Sequence, residues 1–399
     1  MPKYDIVIVG GGCVGCSTAK HLAEDRELDI ALVEKEHRLA AHQSGRNSGV
    51  LHPGFNYEPG STKARFATEG TTRMKAYANE RDIPLREFGV VVVATTAAEE
   101  RRLSSIQQQA DANGVETEII GSEELEEREP HAQGRAALYC PEAASVDSQQ
   151  YVYELAKEAK NAGVDFYMGH TVESVSASSS DVRVRTDKGA INGDYFVNAA
   201  GLYADKLAAE VGVGTGYQII PFRGDYYELV PERRHLCNTM IYPTPDPELP
   251  FLGVHYTRRT DGKVIVGPNA VLAFAREAYR NTEFDLGELR DVLSYGGFWK
   301  LMMEPKMMKV AWEELNKSYK KKAFVEASRN LVPEARAQDF VRSYAGVRAQ
   351  LVDGNGELVK DPMVQDGPRS LHVLNAVSPG LTCSLPFGEH VAEQVREEL

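Results

Sequence analysis

Long apolar runs are missing from this sequence. Stretches such as Val90–Ala94 end after five residues, whereas a helix that crosses a bilayer needs about 20. Cysteine is scarce and odd in number: Cys13, Cys16, Cys140, Cys237 and Cys383. Cys13 and Cys16 have no second pair at zinc spacing, so neither a disulfide scaffold nor a zinc module fits, and a reducing compartment does. Excess positive charge is missing too. With 45 Lys and Arg against 58 Asp and Glu, the net charge is -13. That argues against nucleic acid as a partner, but it leaves room for a local basic pocket around an anionic substrate. There is no internal repeat, low-complexity tract or long linker. A strand pattern that starts at Tyr4 leaves no space for a signal peptide, and a cytoplasmic protein is expected.

What is present is ordinary in bulk and specific in place. Hydrophobic residues make up 42% and charged residues 26% of 399 residues, which suits two or three soluble domains. "YDIVIVG" (4–10) is a continuous β-branched run, as in a parallel strand covered on both faces. "CVGCSTAKHLAEDRE" (13–27) has helical periodicity, and "DIALVE" (29–34) is a second buried strand. Together they predict a right-handed βαβ unit.

The turn inside that unit carries Gly10, Gly12 and Gly15 in the pattern G-x-G-x-x-G. The first glycine permits the tight turn. The second lets a pyrophosphate approach the backbone, and the third lets helix and strand pack closely. The N–H groups at the start of the helix then face the phosphates. Glu34 ends the second strand, 19 positions after Gly15, where a carboxylate accepts ribose hydroxyls and repels a 2′-phosphate. A dinucleotide is expected, either NAD or FAD. Three features favour FAD. No second fingerprint exists, since "GVGTGY" (212–217) misses by one position. "FVNAAG" (196–201) is a strand ending in small residues that let backbone approach a cofactor. The loop "HQSGRNSGVLHPG" (42–54), with Ser44, Ser48 and Gly49, offers small and polar groups to the middle of the longer coenzyme.

Further along, helices are expected at 61–80, 97–113, 148–163 and near the C-terminus, and strands at 88–96, 340–351 and 371–378. Residues 164–201 alternate at period two, 217–270 is rich in strand patterns, and 285–330 is helical and Lys-rich. The fold class is therefore α/β. A discontinuous Rossmann-like FAD-binding domain is expected over 1–85, 145–215 and 340–399. An inserted α+β substrate domain on a mixed antiparallel sheet takes 86–144 and 216–339.

Several stretches carry a resemblance. "QSGRNSGVLHPGF", "YPTPDPELPFLGVHYTRRTDGKVIVGPNAVLA", "GGFWKL", "AGVRAQL" and "NAVSPGLTCS" span residues 43 to 384, nearly the whole chain. By these the sequence resembles the D-amino-acid-oxidase-like flavoproteins. Among them it is similar to enzymes that oxidise L-2-hydroxyglutarate to 2-oxoglutarate, with an amine, amino-acid or glycerol-3-phosphate oxidase as the alternative. Arg46 and Pro53 stand where that family suggests His and Ala. The resemblance implies that Lys35, adjacent to Glu34, is a cofactor contact, that Val172 meets adenine through its backbone and that Gly201 lies near the pyrophosphate. It also implies that Gly380, Leu381 and Thr382 face the flavin pyrimidine, with a helix starting after Thr382.

Oxidising a 2-hydroxy acid moves a hydride from C2 and a proton from the hydroxyl. A histidine suits the proton, because it titrates near neutral. Arginine suits the carboxylates, because its planar fork makes two hydrogen bonds to each. The expected substrate is a small dicarboxylate hydroxy acid. Arg348 in "AGVRAQ" is the expected grip on the C1 carboxylate, by analogy with the resembling oxidases. His52 and His255 are rival bases. Arg258 is a candidate for the distal carboxylate, although strand alternation sets it on the face opposite His255. Tyr57, Tyr242 and Tyr256 are candidate hydroxyl donors. His21, His37 and His235 show no metal-ligand spacing, and no metal site is expected. Without a second dinucleotide site, electrons are expected to pass to oxygen or a membrane quinone. Residues 296–324 combine Phe298, Trp299, Leu301, Met302, Met303, Met307 and Met308 with seven lysines. That composition suits peripheral contact with the inner face of a membrane, against the plainer reading of core-facing helices with a solvated lysine face.

Overall fold

The structure is a computed structural model that describes residues 3–25, 27–246, 253–376 and 378–399. The middle of the resemblance stretch 242–273 and Val377 lie outside these described residues.

Five parallel strands form the centre of the first sheet, in the order Ser370–Asn375, Gly189–Asn198, Lys3–Val9, Ile30–Glu34, Asp165–Met168. The apolar runs of Lys3–Val9 and Ile30–Glu34, and the whole of Ser370–Asn375, are buried on both faces, as central parallel strands require. The hairpin Val172–Ala177/Val182–Thr186 extends the sheet from the first half of Gly189–Asn198. Helices Cys13–Leu22, Ser148–Asn161 and Gly380–Glu398 share one core with the sheet, which includes Ile6, Ile8, Leu32, Tyr151 and Val391. The chain leaves Val9 toward Ile30 on one side and meets Asn198 on the other. The strand order therefore reverses beside Gly10, and ligands bind in the crevice at such a point, beyond the strands' carboxyl ends.

The second sheet has nine strands. It is mostly antiparallel and mixed, since Met240–Pro243 pairs parallel with Val90–Ala94. Its longest pair joins Tyr217–Leu229 to Phe340–Asp353, from Tyr217 opposite Asp353 to Leu229 opposite Phe340. The expected segment 340–399 thus opens on a strand that pairs with the inserted sheet. Residues 340–353 belong to the inserted sheet, and the chain re-enters the first sheet at Met363–Gly367. The reason is physical: pairing across more than 100 residues leaves no mark on a strand's local pattern.

The last helix also differs from expectation. It begins at Gly380, so Gly380, Leu381 and Thr382 are its first turn. Pro386 lies inside it and has no N–H to give the Thr382 carbonyl. Helix Thr62–Glu80 comes closest there, and a Cβ on Gly70 would sit 2.1 Å from the Thr382 oxygen. All five cysteines are buried and free.

Candidate active site between the two sheets

The fingerprint turn is built as its sequence dictates. Gly10 has φ +115°, and a Cβ there would lie 2.3 Å from the Ala199 carbonyl oxygen. A Cβ on Gly15 would lie 1.9 Å from the Gly10 oxygen, so the helix rests directly on the turn. Gly12 caps the helix without a side chain, and no acidic residue stands in the first turn. The Ser44 hydroxyl accepts the Cys13 N–H at 2.9 Å. Glu34 accepts the Gly11 N–H on Oε2 (2.7 Å) and the Glu36 N–H on Oε1 (2.9 Å). Each carboxylate oxygen keeps a further lone pair for a sugar hydroxyl.

This turn opens into a cavity of ≈ 1320 Å³. Small-molecule sites usually occupy about 300–1,000 Å³, so the space suits a dinucleotide with a substrate beside it. Gly10, Gly12, Glu34, Lys35, Ser44, Ser48, Val172, Gly201, Gly380, Leu381 and Thr382 line it. Gly15 and Gly49 do not. Gly15 serves packing, and Gly49 (φ +75°) turns the loop against Val146, whose carbonyl oxygen a Cβ would approach to 2.6 Å.

The loop 42–54 is pinned by the inserted sheet. The Tyr344 hydroxyl donates to the Asn47 carbonyl at 2.6 Å. Arg46 donates to the carbonyls of Ala41 and Ala345 and lies 4.0 Å over the Tyr279 ring. A Cβ on Gly346 would come within 2.2 Å of the Arg46 carbonyl oxygen. Arg46 thus performs a structural task in addition to lining the cavity.

His52, Tyr57, Tyr242, His255 and Arg348 all line the same cavity. The His52 N–H donates to Thr382 Oγ1 at 3.1 Å. The Tyr242 ring stands 6.0 Å from the His52 ring and 4.2 Å from the His255 ring. Burial lowers His52 to about 4, helped by the charge of Lys63. Burial lowers His255 to about 3, against a contribution from the Gly253 carbonyl and with help from His52 and Arg348. Both rings are therefore neutral at pH 7. Burial pushes the hydroxyls of Tyr57 and Tyr242 up, so both stay protonated donors. The Arg348 guanidinium faces the cavity from the strand opposite Phe222.

Two expected residues stand elsewhere. Tyr256 is fully buried in the inserted domain's core, and its hydroxyl donates to the Ser328 carbonyl at 3.3 Å. Arg258 donates to the carbonyls of Cys237 (2.8 Å) and Arg234 (3.3 Å). Strand alternation explains both, since His255 looks into the cavity and its neighbours at 256 and 258 look away. Lys63 and Tyr226 also line the cavity, and no sequence cue marks them. Lys63 is one lysine in the first turn of an amphipathic helix, and Tyr226 is one aromatic in a strand of aromatics.

Sequence comparison is consistent across nearly the whole length. The chain is 39% identical over 393 residues to the L-2-hydroxyglutarate dehydrogenase of Indibacter alkaliphilus, covering 98% of each. It is 37% identical to the enzyme of that name from Escherichia coli K12, over 98% of this chain and 93% of the relative. It is 38% identical to the mitochondrial one of Caenorhabditis elegans, over 99% and 93%. Among solved structures, the L-α-glycerophosphate oxidase of Mycoplasma pneumoniae with FAD bound superposes with a TM-score of 0.78 at 23% identity, covering 99% and 95%. The glycine oxidase of Geobacillus kaustophilus gives 0.76 at 21%, covering 100% and 95%. These two share the fold. The family model for FAD dependent oxidoreductases of the DAO type matches residues 5–394, and to that family the chain belongs.

Proposed function

We propose that this protein oxidises L-2-hydroxyglutarate to 2-oxoglutarate, a reading carried by relatives of that name at 37–39% identity over nearly the full chain. The turn at Gly10–Gly15, the Glu34 carboxylate and the first turn of Gly380–Glu398 would hold FAD, which supplies the two-electron acceptor at its N5. Arg348 binds the C1 carboxylate through its fork. His255 takes the hydroxyl proton. Its Nδ1 lies 2.9 Å from the Gly253 carbonyl, which only accepts. Nδ1 therefore carries the proton, and Nε2 keeps a bare lone pair. A substrate carboxylate entering the cavity raises the basicity of this ring. His52 and Tyr57 stand by as cofactor and substrate contacts.

Oxygen or a membrane quinone would take up the electrons that bound FAD accepts. Among the described residues no helix is long and apolar enough to cross a membrane. The segment 296–324 supports peripheral contact on a cytoplasmic protein: Phe298, Leu301 and Met307 are buried, while Trp299, Met303, Met308, Trp312 and Tyr319 are exposed among lysines. Flotation with anionic liposomes tests this contact, and absence of binding at low salt removes it. For the reaction itself, L-2-hydroxyglutarate should bleach the flavin in stopped flow. Bleaching by sarcosine, glycine or glycerol 3-phosphate in its place overturns the assignment.

A further inference from the structure

A two-anion substrate needs a second cation, and Arg258 is spent on backbone carbonyls in the inserted domain. The cavity wall carries another candidate close to the histidines. Lys63 lies in the first turn of Thr62–Glu80, where its backbone N–H is held by Asp361 Oδ1 at 3.3 Å. Asp361 is itself fixed, because its carbonyl accepts from Asn375 at 2.6 Å. The ammonium of Lys63 stands 4.7 Å over the ring of Tyr57, which also lines the cavity. Burial lowers the pKa of that ammonium, Cys383 and Asp361 oppose this through space, and among the described residues it makes no side-chain hydrogen bond. Its charge reaches His52, while that of Arg348 reaches His255. The two histidines flank Tyr242. Two cations thus bracket a row of neutral proton-handling groups, one on the helix side and one on the strand side. A desolvated ammonium with no tight partner among the described residues gains most from a carboxylate brought by a ligand.

We propose that Lys63 determines the preference for a dicarboxylate: its ammonium receives the carboxylate at the far end of the substrate while Arg348 grips the one at C1. The inference rests on the reading above, that the substrate is a 2-hydroxy dicarboxylate.

The test is equilibrium binding, which does not depend on turnover. Wild-type and Lys63→Met holoenzymes are titrated with glutarate and with pentanoate, following the perturbation of the flavin absorbance band. Wild type should prefer glutarate. The variant should bind glutarate at least roughly 30-fold more weakly and pentanoate unchanged, and Lys63→Arg should recover part of the loss. The flavin midpoint potential should be the same in all three. Equal loss for both acids assigns Lys63 a structural or C1 role and overturns the proposal. A shifted potential with glutarate binding intact assigns it to the cofactor and also overturns it, as does a wild type that prefers neither acid. If Lys63→Met does not retain FAD, Lys63→Arg and Lys63→Gln are compared with the same two acids. Failure of the wild type to be bleached by L-2-hydroxyglutarate is a separate result and bears on the reaction, not on Lys63.

Discussion

Arg276 meets both carboxylate oxygens of Asp205, at 2.5 and 2.8 Å, in a pair buried on both sides. Asp205 also accepts the Ile219 N–H at 3.0 Å, and Arg276 also donates to the Leu202 carbonyl. The pair ties helix Ala204–Glu210, on the cofactor side, to the segment that follows Val271–Leu272. Removing one partner leaves an uncompensated buried charge, which costs about 3–5 kcal/mol. Arg276→Met should therefore lower the Tm of the holoprotein by several degrees, and adding Asp205→Asn should recover part of it. An unchanged Tm in the single variant contradicts the pairing.

Arg348→Ala should keep its yellow colour and lose substrate reduction. Truncating one side of a buried charge pair costs about 2–5 kcal/mol, so kcat/KM should fall by roughly 30-fold to several thousand-fold. Loss of FAD with no change in the kinetics of the remaining holoenzyme makes Arg348 a scaffold residue.

His255→Gln should lower kcat by about 100- to 10,000-fold, the range of a lost general base. A base at His255 would act only when neutral, and burial holds that ring at about 3 before substrate binds. The profile of kcat/KM should then stay flat from pH 7 down to 5. An acidic limb centred near the ordinary histidine value of about 6.5 places the base elsewhere.

Stability should follow the same histidines with a definite sign. His52 and His372 are each lowered to about 4 and His255 to about 3, all chiefly by burial. Below about pH 6.5 the unfolded chain takes up protons that the folded chain refuses. Their contribution is complete above that pH and is lost progressively as pH falls toward 4. Tm measured against pH should decline over this window, and His372→Asn should flatten part of the slope.

Gly70→Ala should damage the cofactor site from a distance. The new methyl would collide with the Thr382 carbonyl in the first turn of Gly380–Glu398, a turn that lines the cavity. Overpacking of this kind costs about 1–3 kcal/mol. FAD affinity, read by fluorescence on dilution, should fall together with Tm. A stability loss with unchanged FAD affinity separates the helix contact from the site.

Much of the cofactor side is legible in the sequence because its signals are local. Three glycines, a β-branched strand before them and a carboxylate after the next strand fix Gly10, Gly12, Gly15 and Glu34 within one short stretch. The proposed substrate side is less legible, because its residues come from separate elements. Tyr242, His255 and Arg348 come together on strands of the inserted sheet, and His52 joins them from the loop that Thr382 holds. Tyr256 and Arg258 attract attention by proximity in sequence, and alternation turns them away. Lys63 gives no cue, because one lysine in the first turn of a polar helix is ordinary until the neighbouring wall is known. The pairing of Phe340–Asp353 is hidden for the same reason, since only its partner Tyr217–Leu229 reveals it.

The long pairing of Phe340–Asp353 has a consequence for the order of assembly. Gly346 presses on Arg46, and Thr382 holds His52, so the early glycine-rich segment is finished by residues made much later. A nascent chain that has completed its first βαβ unit still lacks the walls that enclose a coenzyme. Retention of the coenzyme must therefore be a late event in biosynthesis, waiting on contacts of very long sequence separation, which are slow to form. Truncation before the final helix should yield a protein that cannot keep it.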